Sequence, residues 1–68
     1  MKIDQYTDLY GVVGSPIRHS LSPVMHNAAF SATGANGVYL AFHTEDLTGC
    51  LSGIRALGIK GVSVTIPF

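Results

Sequence analysis

Apolar and polar positions along this chain fall into blocks whose period changes. Leu9 to Gly14, LYGVVG, is a short apolar run closed by glycine, the pattern of a buried strand. From Val24 the period lengthens, and Val24, Met25, Ala28, Ala29 and Ala32 form a stripe at helical spacing. Ser22 and Pro23 precede it as N-cap and first helical residue, and Gly34 stands where a terminal glycine stops a helix. Val38 to Phe42, VYLAF, is apolar on both faces, which predicts a parallel strand covered on two sides. Thr44 is placed to cap a second helix, with Glu45 and Asp46 at its positive end. The apolar face of that helix is Leu47, Cys50, Leu51, Ile54 and Leu57. Gly49 and Gly53 fall on the other side, where each costs about 1 kcal/mol against alanine. Gly58 ends the helix, Gly61 opens a third strand, VSVTI, and Pro67 closes it. In that strand Val62, Val64 and Ile66 point one way while Ser63 and Thr65 point the other.

Strand, helix, strand, helix, strand, joined by short links, predicts an α/β fold. The expected architecture is a βαβαβ portion of an open, mostly parallel sheet in three layers, with right-handed crossovers.

Composition narrows the classes. At 68 residues the chain is at most one small domain, and domains of that size bury only ~60% of the surface their unfolded chains expose. Apolar residues make up 47% and charged ones 12%, which excludes a disordered tail. Four Lys/Arg are balanced by four Asp/Glu with no cluster, so no nucleic-acid partner is expected. The single cysteine, Cys50, excludes an internal disulfide framework and reads as a buried small hydrophobe. The opening MKIDQYTDLYG lacks the apolar core of a signal peptide, and no apolar run approaches the ~20 residues that span a bilayer. A cytoplasmic protein without a membrane partner is expected. The chain stops at Phe68 on an apolar strand, which we take as a cut inside a longer domain. The sheet edge left open by the third strand offers a route to a homodimer.

In open α/β sheets ligands sit beyond the carboxyl ends of strands where strand order reverses. With the first strand between the other two, the loop bearing Ser20 and Ser22 meets the end of the strand bearing Ser63 and Thr65 at one crevice. Two polar residues on one face of a buried strand need partners, and a helix N-terminus favours an anion. The turn GVVGSP has neither the Walker lysine nor the third glycine of a dinucleotide fingerprint, so a small carboxylate suits the crevice better than a nucleotide. His19, His26 and His43 show no metal-ligand spacing, and His26 reads as a packing or surface residue.

The stretch YGVVGSPIRHSLSPVMHNAAF resembles the opening signature of the shikimate dehydrogenase family, and GVSVTIPF resembles its second signature. Between them ANGVYLAFHTED is similar to the family's second strand and its exit. The resemblance implies reduction of 3-dehydroshikimate to shikimate with NADPH, in the pathway to aromatic amino acids. It implies that residues 1–68 are the incomplete N-terminal substrate-binding domain of such an enzyme, with NADP held by a separate Rossmann domain absent here. By the same resemblance Ser20 and Ser22 hold the substrate carboxylate, Thr65 meets the ring hydroxyls, and Ser63 stands where many members carry asparagine. The family's catalytic lysine follows the position matched by Phe68, so no catalytic residue is assigned within the chain and the segment alone is expected to be silent. Two other readings stay open: a quinate/shikimate dehydrogenase of broader specificity, and a non-catalytic module that binds small carboxylates.

Overall fold

A computed structural model describes residues 2–65. Its elements run in the expected order: β1 (Asp8–Gly14), α1 (Ser22–Thr33), β2 (Gly37–His43), α2 (Leu47–Leu57) and β3 (Gly61–Val64). The three strands form one parallel sheet in the order β2-β1-β3. The shift in chain order at β1 is the switch point that the sequence reading required.

Register decides which side chains share a face. Val12 lies between Ala41 and Ser63, and Val13 lies between Phe42 and Val64. As the central strand, β1 ends in four buried residues, with Val12 only 1% exposed. On one face Val12 packs with Ile17 and Tyr39, and Tyr10 and Phe30 close the cluster beneath α1. The Tyr10 and Phe30 rings are 5.2 Å apart and tilted by 43°, a favourable aromatic geometry. On the other face Val13, Phe42 and Val62 look toward α2. Helices on opposite faces of one sheet give the three layers.

The second layer is looser than expected. A cavity of about 460 Å³ lies between α2 and the sheet, lined by Val13, Phe42, Cys50, Gly53, Ile54 and Val62 among others. Leu47 and Leu51, expected on the covered face, are exposed at 42% and 55%. Gly49 and Gly53, expected on the far side, line the cavity instead. Leu47 and Leu51 thus lie off the platform that Val13, Phe42 and Val62 form beneath α2. On β2, Leu40 is exposed at 44% and Ala41 and His43 on the opposite face are exposed as well, so the strand is not covered on two sides as its pattern predicts.

Both helices end as read, on Gly34 and Gly58 in the left-handed conformation. Their starts differ from the reading. Thr44 does not cap α2: its Oγ1 accepts the Asp46 N–H at 3.1 Å, and Asp46 is the cap, with Oδ1 accepting the Gly49 N–H at 2.9 Å. A carboxylate two residues closer to the helix displaces the hydroxyl from the capping position. A Cβ at Gly49 would meet the Asp46 carboxylate, so a larger residue there would require the capping side chain to shift. The expected orientation of Ile66 and the closing role of Pro67 lie outside the described residues.

Candidate functional site

The site grows from the link between β1 and α1. After Gly14 the chain passes through a cis Ser15–Pro16 peptide, and Ile17 turns inward to 5% exposure. The Ser20 N–H then donates to the Ile17 carbonyl at 3.1 Å, closing a turn that sets Ser20 at the foot of α1. Ser22 is not the N-cap. Leu21 holds that position without a side-chain bond, Ser22 and Pro23 open the helix, and the Ser20 Oγ accepts the Ser22 N–H at 3.2 Å. Ser20 reaches that N–H first, two residues upstream, in the local bond that serine favours at turns. Of the first-turn donors, Ser22's is therefore engaged and Pro23 has none. Fewer backbone groups are left to meet an anion than the spacing implied, and the hydroxyls carry more of that role. Among the described residues the Ser22 hydroxyl has no hydrogen-bond partner.

One turn along, His26 shares the face of Ser22. Its ring stacks on Tyr39 of β2 at 4.2 Å and 9°. The Tyr39 hydroxyl reaches across the sheet and donates to the Ser63 Oγ at 3.4 Å, a long bond. Next to His26, Asn27 grips the backbone of the same tyrosine: its Nδ2 donates to the Tyr39 carbonyl and its Oδ1 accepts the Tyr39 N–H, both at 2.8 Å.

Thr65 lies just past β3 and continues the ladder, its N–H donating to the Val13 carbonyl at 3.0 Å. Its Oγ1 donates to the same carbonyl at 3.3 Å and rests against Gly14, where a Cβ would collide with it. That Cβ would also stand 3.6 Å from Ile17 Cδ1, so Thr65 and the turn before Ser20 flank the same glycine. At the rim, Ser15 Oγ and His43 Nε2 are 3.4 Å apart.

All four residues singled out from the sequence thus stand at the carboxyl end of the sheet, on the face that α1 covers. Ser20, Ser22 and Thr65 are half-buried and Ser63 is exposed. The donor directions have chemical consequences. Ser20 spends a lone pair on the Ser22 N–H, which leaves its own proton to give to an anion. Ser63 accepts from Tyr39 and likewise keeps its proton. Thr65 donates inward and presents lone pairs outward, suited to a ligand hydroxyl. The residue pattern reads His26 as a packing or surface residue and Tyr39 as core or rim, and it assigns Asn27 no role. A polar residue five places after Ser22, on a helix that must face a sheet, was the available signal.

At the far end of the sheet the Asp4 carboxyl accepts from Asn36 Nδ2 at 3.1 Å and the Tyr6 N–H at 2.9 Å. The Asn36 amide, followed by the Tyr6 N–H, holds it below the ordinary carboxylate value. This network ties the start of the chain to the entry of β2, away from the hydroxyls.

The family model of the shikimate dehydrogenase substrate binding domain matches residues 12–68. A shikimate dehydrogenase (NADP(+)) of Thermococcus kodakarensis is 61% identical over 66 residues, covering 94% of this chain and 24% of that protein. Among solved structures, shikimate 5-dehydrogenase of Listeria monocytogenes in complex with shikimate and NAD matches with a TM-score of 0.92 at 45% identity, covering 98% of this chain and 24% of that one. The shikimate dehydrogenase of Aquifex aeolicus matches at 0.93 and 49%, covering 98% and 26%. The chain spans about a quarter of the length of the proteins it matches.

Proposed function

The chain belongs to the shikimate dehydrogenase substrate-binding domain family, and on that footing we propose that it is the shikimate-binding portion of a cytoplasmic, NADP-dependent shikimate dehydrogenase. The whole enzyme interconverts 3-dehydroshikimate and shikimate. Residues 1–68 form the first part of its N-terminal domain, and NADP is held by a further domain. The observation that carries this reading is the gathering of Ser20, Ser22, Ser63 and Thr65 at one end and one face of the sheet.

Each group has a role that follows from its bonding. Ser20 and Ser22 donate to the substrate carboxylate, where each charge-assisted bond is worth about 1.5–3 kcal/mol. Thr65 accepts from a ring hydroxyl and Ser63 donates to one. Nothing among the described residues fits the dinucleotide. Where a phosphate cradle needs free N–H groups, the β1–α1 link carries Pro16, the buried Ile17 and the engaged Ser20 and Ser22 amides. NADPH supplies the hydride, while this segment binds and orients the ring. A proton donor at the reacting oxygen is also required. We assign that donor to the rest of the enzyme and expect the segment alone to be silent.

The test is steady-state kinetics of the complete protein with shikimate and quinate, each with NADP and NAD. Shikimate with NADP is expected to give the highest kcat/KM. Replacing Ser20 and Ser22 together by alanine is expected to raise KM for shikimate far more than KM for NADP. Equal rises, or a preference for quinate, would overturn the assignment.

A further inference from the structure

Ser22 reaches a shared ligand with Thr65 only if the front of α1 is fixed over the sheet, and the apolar packing of α1 does not do this. Its back half is anchored: Phe30 packs on Tyr10 and lies 3.2 Å from where a Cβ of Gly37 would stand. At its front, the N-cap Leu21 and the helical Val24 and Met25 are exposed at 69%, 70% and 67%. The attachment of the front half is polar. β2 has β1 on one side only, so backbone groups on its other side have no strand partner. Asn27 takes the N–H and the carbonyl of Tyr39 together, at 2.8 Å each, as a neighbouring strand would. Two bonds from one planar amide fix both the height and the rotation of the helix against β2. His26, stacked on the same tyrosine, adds a third contact in the same turn.

We propose that Asn27 is a positioning residue for substrate binding. By clamping α1 to the Tyr39 backbone it sets the distance between the Ser20/Ser22 pair and Ser63/Thr65. The inference rests on the function proposed above. The clamp acts on the crevice through the helix and the strand that it joins.

The experiment uses the complete dehydrogenase with Asn27→Asp, Asn27→Ala and, as a control, Phe30→Leu. Asn27→Asp keeps the size and the acceptor but sets an oxygen against the Tyr39 carbonyl. Because small displacements of a positioned group have large kinetic effects, KM for shikimate is expected to rise about tenfold in both Asn27 variants, with KM for NADP changed less than about twofold. Phe30→Leu, which loosens the back half, is expected to lower Tm without that split. Equal rises in both KM values for the Asn27 variants, or the same selective rise in Phe30→Leu, would overturn the proposal. If the unaltered enzyme does not oxidise shikimate, the functional reading fails by itself, and amide exchange then decides the clamp. Loss of protection at the Tyr39 N–H in Asn27→Ala but not in Phe30→Leu supports it, and unchanged protection refutes it.

Discussion

Thr65 rests against Gly14, and its Oγ1 and N–H both reach the Val13 carbonyl one residue before that glycine. The end of β3 is therefore seated on β1 by a threonine that needs a bare α-carbon beneath it. Gly14→Ala is expected to rotate Thr65 away, break its Oγ1 bond and destabilise the fold by about 1–3 kcal/mol, as overpacking does. Denaturant unfolding of the complete protein measures this, and KM for shikimate is expected to rise with it. An alanine variant with unchanged midpoint and KM would remove Thr65 from the site.

Ser20 and Ser22 differ in how they are engaged, so their alanine variants are expected to part. Ser20 holds the first helical N–H, and its loss is expected to lower stability by about 1 kcal/mol, the usual effect of losing a cap-like bond. Ser22→Ala is expected to leave the unfolding midpoint within error. Both raise KM for shikimate. Equal stability losses would mean that the Ser22 hydroxyl is also part of the scaffold.

The two glycines of α2 are expected to respond oppositely to alanine. At Gly53 a Cβ meets nothing within 4 Å, so Gly53→Ala is expected to stabilise by up to about 1 kcal/mol through helix propensity. At Gly49 the Cβ strikes the capping Asp46 carboxylate, and that gain is expected to be cancelled or reversed. Thermal melting of the two single variants side by side is sufficient, and a higher Tm for Gly49→Ala than for Gly53→Ala contradicts the cap geometry.

Much of this was written in the residue pattern. The five elements follow from changes of period, whereas the strand order enters the sequence reading as a premise and is supplied by the structure. The hydroxyls of Ser63 and Thr65 share a face because strands alternate, which needs no coordinates. What the pattern could not resolve were choices between neighbours. Ser20 and Ser22, and Thr44 and Asp46, each offer two polar side chains within two residues of a helix start, and only the backbone path decides which one reaches the free N–H. The rotation of α2 depends on how much sheet lies beneath it. The grip of Asn27 on Tyr39 joins residues 12 apart through a crossover, and nothing in either residue type announces it.

The Asp4 network makes a pH prediction. Its carboxyl lies below the ordinary value of 3.8 in the folded state. A lowered folded pKa means that its contribution is present above the unfolded value and is lost as pH falls through the folded one. Titration of the Asp4 carboxyl carbon by NMR is expected to give a midpoint below 3.8, and Asn36→Ala is expected to move it upward. A midpoint at or above the ordinary value in the unaltered protein would mean that the tie to Asn36 is not made in solution.

The amide of Asn27 has one more effect, on how this small sheet can be enlarged. At Tyr39 it already occupies the backbone groups that an incoming strand would need, so an approach along the flank beyond β2 is blocked at that position. A strand added alongside β3 meets no such obstacle among the described residues, and it arrives next to Ser63 and Thr65. Growth of the scaffold and completion of the pocket wall thus happen at the same address.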